Sequence, residues 1–181
     1  MKVAIYSRGV DIDQQQSLQA LLLALDKHAI TIYVYAELIE KFNLQASAGK
    51  EPLIAFNSFS AIHDSIDCLI SLGGDGTVLD AVTIVGDSQI PILGINYGRL
   101  GFLATISKDE LTVMVEALVN RTYVIEKRTL LHLDADPIIF GNAPYALNEF
   151  AIHKRDTSPM IKIHTYLNGE FLNSYWADGL I

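Results

Sequence analysis

A chain of 181 residues, half of them hydrophobic, can bury a real core and can form one large domain or two small ones. Its formal net charge of -8 at pH 7 argues against a nucleic-acid or anionic-membrane surface, while leaving room for a local basic pocket. Cys68 is the only cysteine, which excludes an intrachain disulfide and a cysteine-based zinc site and fits a reducing cytoplasm; within Cys68-Leu69-Ile70 it reads as a buried thiol. The longest apolar stretch, Leu18 to Leu25, is too short to span a bilayer, and the N-terminus lacks the succession of a signal peptide, so no membrane partner and a cytoplasmic location are expected.

Val3-Ala4-Ile5-Tyr6 reads as a first strand. Asp13 with Gln16 resembles an N-cap pair leading into Leu18, Leu21, Leu22 and Leu25 at helical spacing. Thr31 to Tyr35 is a second strand, followed by a short helix from Glu37 to Phe42 and a polar loop from Gln45 to Pro52. Residues Ser58 to Asp67 read as helical. They deliver the chain to Cys68-Leu69-Ile70, a strand, and then to Leu72-Gly73-Gly74-Asp75-Gly76-Thr77. Val78 to Val85 is a helix apolar nearly all round, with Gly86 as its stop, and Ile90 to Ile95 is the next strand. Strands alternating with helices predict an α/β domain with a parallel sheet, whose ligands lie at the carboxyl ends of the strands.

The pattern changes after about residue 106. Ser107 and Glu110 form a capping box ahead of Leu111, Met114, Val115 and Leu118, the buried stripe of one more helix. Beyond it Tyr123, Ile125, Leu131 and Leu133 alternate with Glu126, Arg128, His132 and Asp134 at a period of two, which predicts an extended strand. Ala146 to Lys154 reads as another strand. Ile161 to Leu167 and Glu170 to Leu172 flank Asn168-Gly169, a strong hairpin signal. The expected division is an α/β unit over residues 1–106, then a connecting helix and part of an antiparallel β domain over 107–181.

A strand feeding a glycine-rich turn that opens a helix is a place to hold phosphate, since free backbone N–H groups and the helix dipole favour an anion there. Asp75 is the odd member of that turn. A carboxylate beside phosphate is repulsive unless it binds a cation or takes a proton from the attacking group, which suggests phosphoryl transfer. The same five residues also suit a plain strand-to-helix connection with Asp75 or Thr77 as the cap, and both readings stay open on local chemistry. Asn96 alone reads as a turn residue, Phe102 as a core aromatic and Asn148-Glu149 as an exposed strand end. The five histidines are scattered without metal spacing, and no metal-ligand set is read in the chain.

Gly73-Gly74-Asp75-Gly76-Thr77, taken with Gly94-Ile95-Asn96-Tyr97-Gly98-Arg99-Leu100-Gly101-Phe102-Leu103, Leu147-Asn148-Glu149 and Asp178-Gly179-Leu180-Ile181, resembles the NAD kinase family in order and spacing. Lipid kinases and phosphofructokinases carry similar glycine turns. The lipid kinases, however, place Asn-Glu just after the turn, where this chain has Leu79-Asp80, and they lack the Asn-x-Gly-x-Leu-Gly-Phe-Leu run. The resemblance implies a kinase that transfers phosphate from ATP or polyphosphate, with Mg²⁺ or another divalent cation, to the 2′-hydroxyl of the adenosine ribose of NAD. In that picture Asp75 is the general base, and Gly74, Gly76 and Thr77 shape the phosphate end. Asn96 and Phe102 line the adenosine side, Asn148 and Glu149 hold polar groups of the dinucleotide, and Asp178 reaches the same pocket. A homo-oligomer is expected. The alternatives are a lipid or sugar kinase sharing the turn, or a dinucleotide-binding module without catalysis. Asp80 stands where many family members have a basic residue. The family also continues past the last motif into a Pro-Thr-Gly-Ser-Thr-Ala-Tyr-like segment, so an amino-terminal fragment, inactive alone, is expected.

Overall fold

The computed structural model describes all residues of the chain except 10–14, 47–50, 99–100, 142–143, 156 and 158. The amino-terminal part runs β1 (Lys2–Tyr6), α1 (Gln15–Asp26), β2 (Thr31–Tyr35), α2 (Ala36–Phe42), β3 (Ile54–Phe56), β4 (Cys68–Gly73), α3 (Asp75–Val85), β5 (Ile92–Asn96), β6 (Ile106–Ser107) and α4 (Leu111–Asn120). The six strands form one parallel sheet in the order β3-β2-β1-β4-β5-β6. The chain leaves β1 in one direction to lay down β2 and β3, then returns to the other side of β1 to lay down β4. Between β1 and β4 the strand order therefore reverses, and an open crevice at the carboxyl ends follows from that reversal.

Both faces of this sheet are covered, which is why its strands are apolar throughout rather than half polar. Val3, Ile5, Cys68, Ile70 and Leu72 point to one face, where they meet Leu18, Leu21, Leu22 and Leu25 of α1 and Leu111, Met114, Val115 and Leu118 of α4. Ala4 and Leu69 point to the other, against Ala81 and Val85 of α3 and the apolar residues before β4. These four α1 leucines are fully or nearly fully buried, and each such side chain contributes roughly 1.5–3 kcal/mol of transfer free energy. The capping box of Ser107 and Glu110 forms as the sequence predicts, on a single 3₁₀ turn that runs into α4. Gly86 ends α3 with φ 56°, its N–H donating to Val82 O. The cap at Asp13 lies outside the described residues, as do residues 47–50 of the loop from Gln45 to Pro52.

The region from Ser58 to Asp67 is not one helix. It forms two 3₁₀ turns, Phe59–Ala61 and His63–Ser65, broken at Ile62. The break lets Phe59, Ile62 and Ile66 all bury against the sheet, and the Ser58 and Ser60 hydroxyls, 2.6 Å apart, bond locally.

The carboxyl-terminal part is antiparallel, in three two-stranded pieces. β7 (Leu131–His132) pairs with β8 (Tyr145–Ala146), β9 (Ile152–His153) with β12 (Gly179–Leu180), and β10 (Ile161–Leu167) with β11 (Glu170–Ala177). The hairpin turns at Asn168 and Gly169, both at positive φ, as a two-residue connection requires. Two strand expectations are corrected. Of the alternating stretch from Tyr123 to Asp134 only Leu131–His132 forms a ladder, and residues 122–129 are exposed, because neither face of the pattern has anything laid against it. Ala146 to Lys154 divides into β8 and β9, because its two ends pair with different strands and the chain must bend at Leu147-Asn148.

Candidate functional site

The β1–β4 reversal places two connections side by side. Tyr6 pairs with Ser71, and just beyond them the Ser7 hydroxyl donates to Leu72 O at 2.7 Å, fastening the end of β1 to the end of β4. The glycine turn then carries the chain from β4 into α3. Gly73 has φ 153°, and a Cβ there would collide with Thr77 Oγ1, so the turn closes this tightly only on glycine. Gly74 is the N-cap of α3 and makes no side-chain capping bond; Gly76 lies in the first turn and is exposed. Neither Asp75 nor Thr77 occupies the cap position.

Asp75 instead grips the loop that follows β5. Its Oδ2 accepts from Phe102 N at 2.8 Å, and its Oδ1 accepts from Leu103 N and Ala104 N, both at 2.9 Å. These three donors, Ala104 first, hold the Asp75 carboxyl below the usual carboxylate range. Placement at the first residue of a helix adds a favourable dipole. Gly101 lies so close to this carboxylate that a Cβ would overlap it. A carboxylate has about four lone-pair sites, so with Oδ1 accepting twice and Oδ2 once, one site on Oδ2 remains for a hydroxyl.

Asn96, at the end of β5 beside Gly73, is 5% exposed. Its Oδ1 accepts from Gly98 N at 2.7 Å and its Nδ2 donates to Ala104 O at 3.3 Å, so it shapes both ends of the loop that Asp75 holds. Phe102 is 91% exposed, which rules out a core aromatic: its backbone serves Asp75 while its ring faces outward at the crevice. Asn148 and Glu149 are exposed in the bend after β8, a strand that lies against α3. Asp178 belongs to the β9–β12 pair, where its carboxylate meets Lys154 Nζ at 2.7 Å and its carbonyl accepts from Lys154 N. Asp75, Thr77, Asn96 and Phe102 are thus brought together at one turn, while Asn148, Glu149 and Asp178 come from the antiparallel part. Arg99 and Leu100 lie outside the described residues.

Three participants carry no short-range signal. Gly101 and Ala104 meet Asp75 only because the loop after β5 folds back over α3. Asp80, on α3, faces Arg8 at the end of β1, with Arg8 Nε 3.5 Å from Asp80 Oδ2. Burial, and after it the Asp80 charge, pushes the nearby Tyr6 hydroxyl up. Tyr97, whose N–H donates to Gly73 O, has a buried hydroxyl without a hydrogen-bond partner among the described residues, and burial raises its pKa. Cys68 is buried as expected, its thiol pushed up to about 12. Among the described residues no three His, Cys, Asp or Glu side chains converge as a metal site, and no helix is long and apolar enough to cross a membrane.

The family profile described as ATP-NAD kinase N-terminal domain matches residues 14–123. The chain is 37% identical over its full extent to the NAD kinase of Flavobacterium johnsoniae and 43% identical to that of Bacteroides fragilis, spanning 62% and 61% of those proteins. A 115-residue stretch, 64% of the chain, is 54% identical to 39% of the NAD kinase of Cytophaga hutchinsonii. The chain therefore spans about three-fifths, or less, of the curated relatives it matches. Its fold is that of yeast NADH kinase crystallised with NADH, with a TM-score of 0.81 at 21% identity over 99% of this chain and 56% of that one. It is also similar to an Archaeoglobus fulgidus NAD kinase in complex with ATP, with a TM-score of 0.66 at 22% identity over 99% and 59% of the two chains. By the match of that profile to well over half of its residues, the glycine turn among them, this chain belongs to the NAD kinase family.

Proposed function

We propose that this chain forms the phosphate-handling part of an enzyme that phosphorylates the 2′-hydroxyl of the adenosine ribose of NAD, giving NADP, with ATP or polyphosphate as donor. The observation that carries the reading is the Asp75 carboxylate, held by three backbone donors at a glycine turn on the strand-order reversal. That grip leaves one lone pair of Oδ2 unused, which suits acceptance of a hydroxyl proton. A carboxyl held below its usual range stays ionised at neutral pH and acts as an oriented base of modest strength. The relatives' names, and the NADH and ATP carried by the two structural neighbours, support the choice of substrates.

In this reading the exposed backbone of Gly74 and Gly76, with the half-buried Thr77 beside them, receives phosphate at the positive end of the α3 dipole. The Phe102 ring offers an open face for the adenosine part, with Asn96 fixing the loop beneath it. Asn148 and Glu149, beside α3, supply polar contacts to the dinucleotide, and Asp178 takes part through the antiparallel unit. A divalent cation would arrive on the donor's phosphates, the common mode for Mg²⁺ in phosphoryl transfer. That cation would offset phosphate charge. We place residues 1–106 in the first unit and residues 107–181, whose connecting helix α4 packs back on α1, in the second. The reaction is assigned to the cytoplasm and the enzyme to a homo-oligomer.

The test is NADP formation by the protein at the full length of its relatives, with NAD, a lipid alcohol and a sugar offered separately beside ATP and Mg²⁺. Product from NAD alone is expected. Product from a lipid or sugar, or dinucleotide binding without turnover, would replace this assignment with one of the two alternatives.

A further inference from the structure

The crevice at the strand-order reversal has two lips, and the glycine turn after β4 is one of them. The other lip is Ser7-Arg8-Gly9, directly after β1. It is built rather than loose: the Ser7 hydroxyl donates to Leu72 O at 2.7 Å and accepts from Gly9 N at 3.4 Å, so Arg8 leaves from a fastened stretch of backbone. From there its side chain reaches α3, where Nε stands 3.5 Å from Asp80 Oδ2. Asp80 is three residues after Thr77 and so lies on the Thr77 side of the helix, one turn in from the phosphate end.

The pairing is incomplete on both sides. Asp80 Oδ2 is buried and has no hydrogen bond among the described residues, so the Arg8 contact is an ion pair and not a seated fork. The Arg8 side chain is 73% exposed, and contact through Nε leaves the two terminal amino groups free to meet another anion. As a plain surface ion pair this contact would be worth little, because solvent screens it and two side chains lose freedom to make it. A planar guanidinium presenting two donors at the edge of a phosphate-handling crevice is, however, the group suited to bind neighbouring phosphate oxygens together.

Resting on the kinase reading above, the geometry points to Arg8 as the residue that binds the polyphosphate chain of the phosphoryl donor, across the crevice from the Gly74–Thr77 backbone. Asp80 fixes where Arg8 rests at the lip. The donor's phosphates are stronger and more numerous acceptors than one carboxylate oxygen at 3.5 Å, so the guanidinium turns its terminal amino groups to them without leaving the lip. The contact is assigned to the longer phosphate chain of the donor rather than to the diphosphate of NAD, and separate KM values for the two substrates distinguish them.

The test compares wild type, Arg8→Gln and Arg8→Lys, each at the full length of the relatives. ATP and inorganic polyphosphate serve as donors in turnover, and inorganic tripolyphosphate is titrated calorimetrically without turnover. Loss of a two-donor contact to phosphate predicts a KM for either donor raised about 10- to 100-fold in Arg8→Gln, with partial recovery in Arg8→Lys. Tripolyphosphate affinity should weaken by a similar factor, while the KM for NAD and the melting temperature stay as in wild type. Unchanged donor KM with unchanged tripolyphosphate binding overturns the assignment, as does a rise confined to the KM for NAD. An effect on ATP alone also overturns it, because the contact would then be to the nucleoside. If wild type makes no NADP the kinase reading falls by itself, and the tripolyphosphate titration still decides Arg8.

Discussion

Replacing Asp75 by Asn separates the clasp this carboxylate forms from the base proposed for it. The amide keeps the size, and its single oxygen, placed where Oδ1 lies, still accepts from Leu103 N and Ala104 N. Its NH₂ then faces Phe102 N at the position of Oδ2, donor against donor, where a 2.8 Å bond stood before. A hydrogen bond to a charged group is worth roughly 1.5–3 kcal/mol, and the two retained bonds lose their charge assistance. Solvent reaches this site, so the lower end applies, and about 1–2 kcal/mol of local opening free energy should vanish. That corresponds to roughly 5- to 30-fold faster amide exchange at Phe102 and Leu103, read by hydrogen exchange with mass spectrometry. Loss of the base should lower kcat by about 10²- to 10⁴-fold, or roughly 3–5 kcal/mol of barrier, with little change in NAD affinity. Both readouts belong to the protein at the length of its relatives. Faster exchange with near-normal kcat would leave Asp75 as a loop clasp and send the search for the base elsewhere. Unchanged exchange would refute the clasp itself.

Other outcomes follow from the same geometry. Because three donors lower the folded pKa of Asp75, its contribution to loop closure is fully present above the ordinary carboxylate pKa of about 3.9 and is lost only as pH falls through the lower folded value. Amide exchange at residues 102–104, corrected for its intrinsic pH dependence, should therefore stay protected at pH 5, and a clasp already released near pH 6 would contradict this. Gly94→Ala puts a Cβ 2.9 Å from both Ala104 Cα and Val78 Cγ2, so overpacking of about 1–3 kcal/mol should appear as a lower denaturation midpoint; an unchanged midpoint would show that the β5–α3 contact yields freely. Cys68, its thiol pushed up to about 12 and buried, should react with iodoacetamide at pH 8 at least about 100-fold more slowly than in denaturant, and fast native labelling would mean the sheet opens there. Tyr166, Leu167, Phe171, Leu172 and Trp176 of the hairpin are all more than half exposed, so the isolated 181-residue chain should self-associate in light scattering; a monodisperse monomer would show that these exposed side chains are tolerated by water.

What the sequence determined by itself was local. The period of Leu18, Leu21, Leu22 and Leu25, the Ser107–Glu110 box, the Gly86 stop and the Asn168-Gly169 turn each depend on residues within a few positions of one another, and each stands in the structure. The glycine turn was legible for the same reason, as was the alternation of strand and helix that makes the sheet parallel. Where local pattern had to compete with tertiary demand, it lost. Ser58 to Asp67 broke into two turns so that three apolar residues reached the sheet, and the alternating stretch from Tyr123 stayed unpaired because period two does not supply a partner strand. The clasp that Asp75 makes was likewise out of reach, since its donors lie 27 to 29 residues away and meet it only when the loop after β5 folds back. Only the strand order 3-2-1-4-5-6 sets β1 beside β4, and so only the folded chain brings Arg8 to Asp80 on α3. Spacing along a chain encodes which face of an element is apolar; which two elements become neighbours is decided by how those faces are jointly buried.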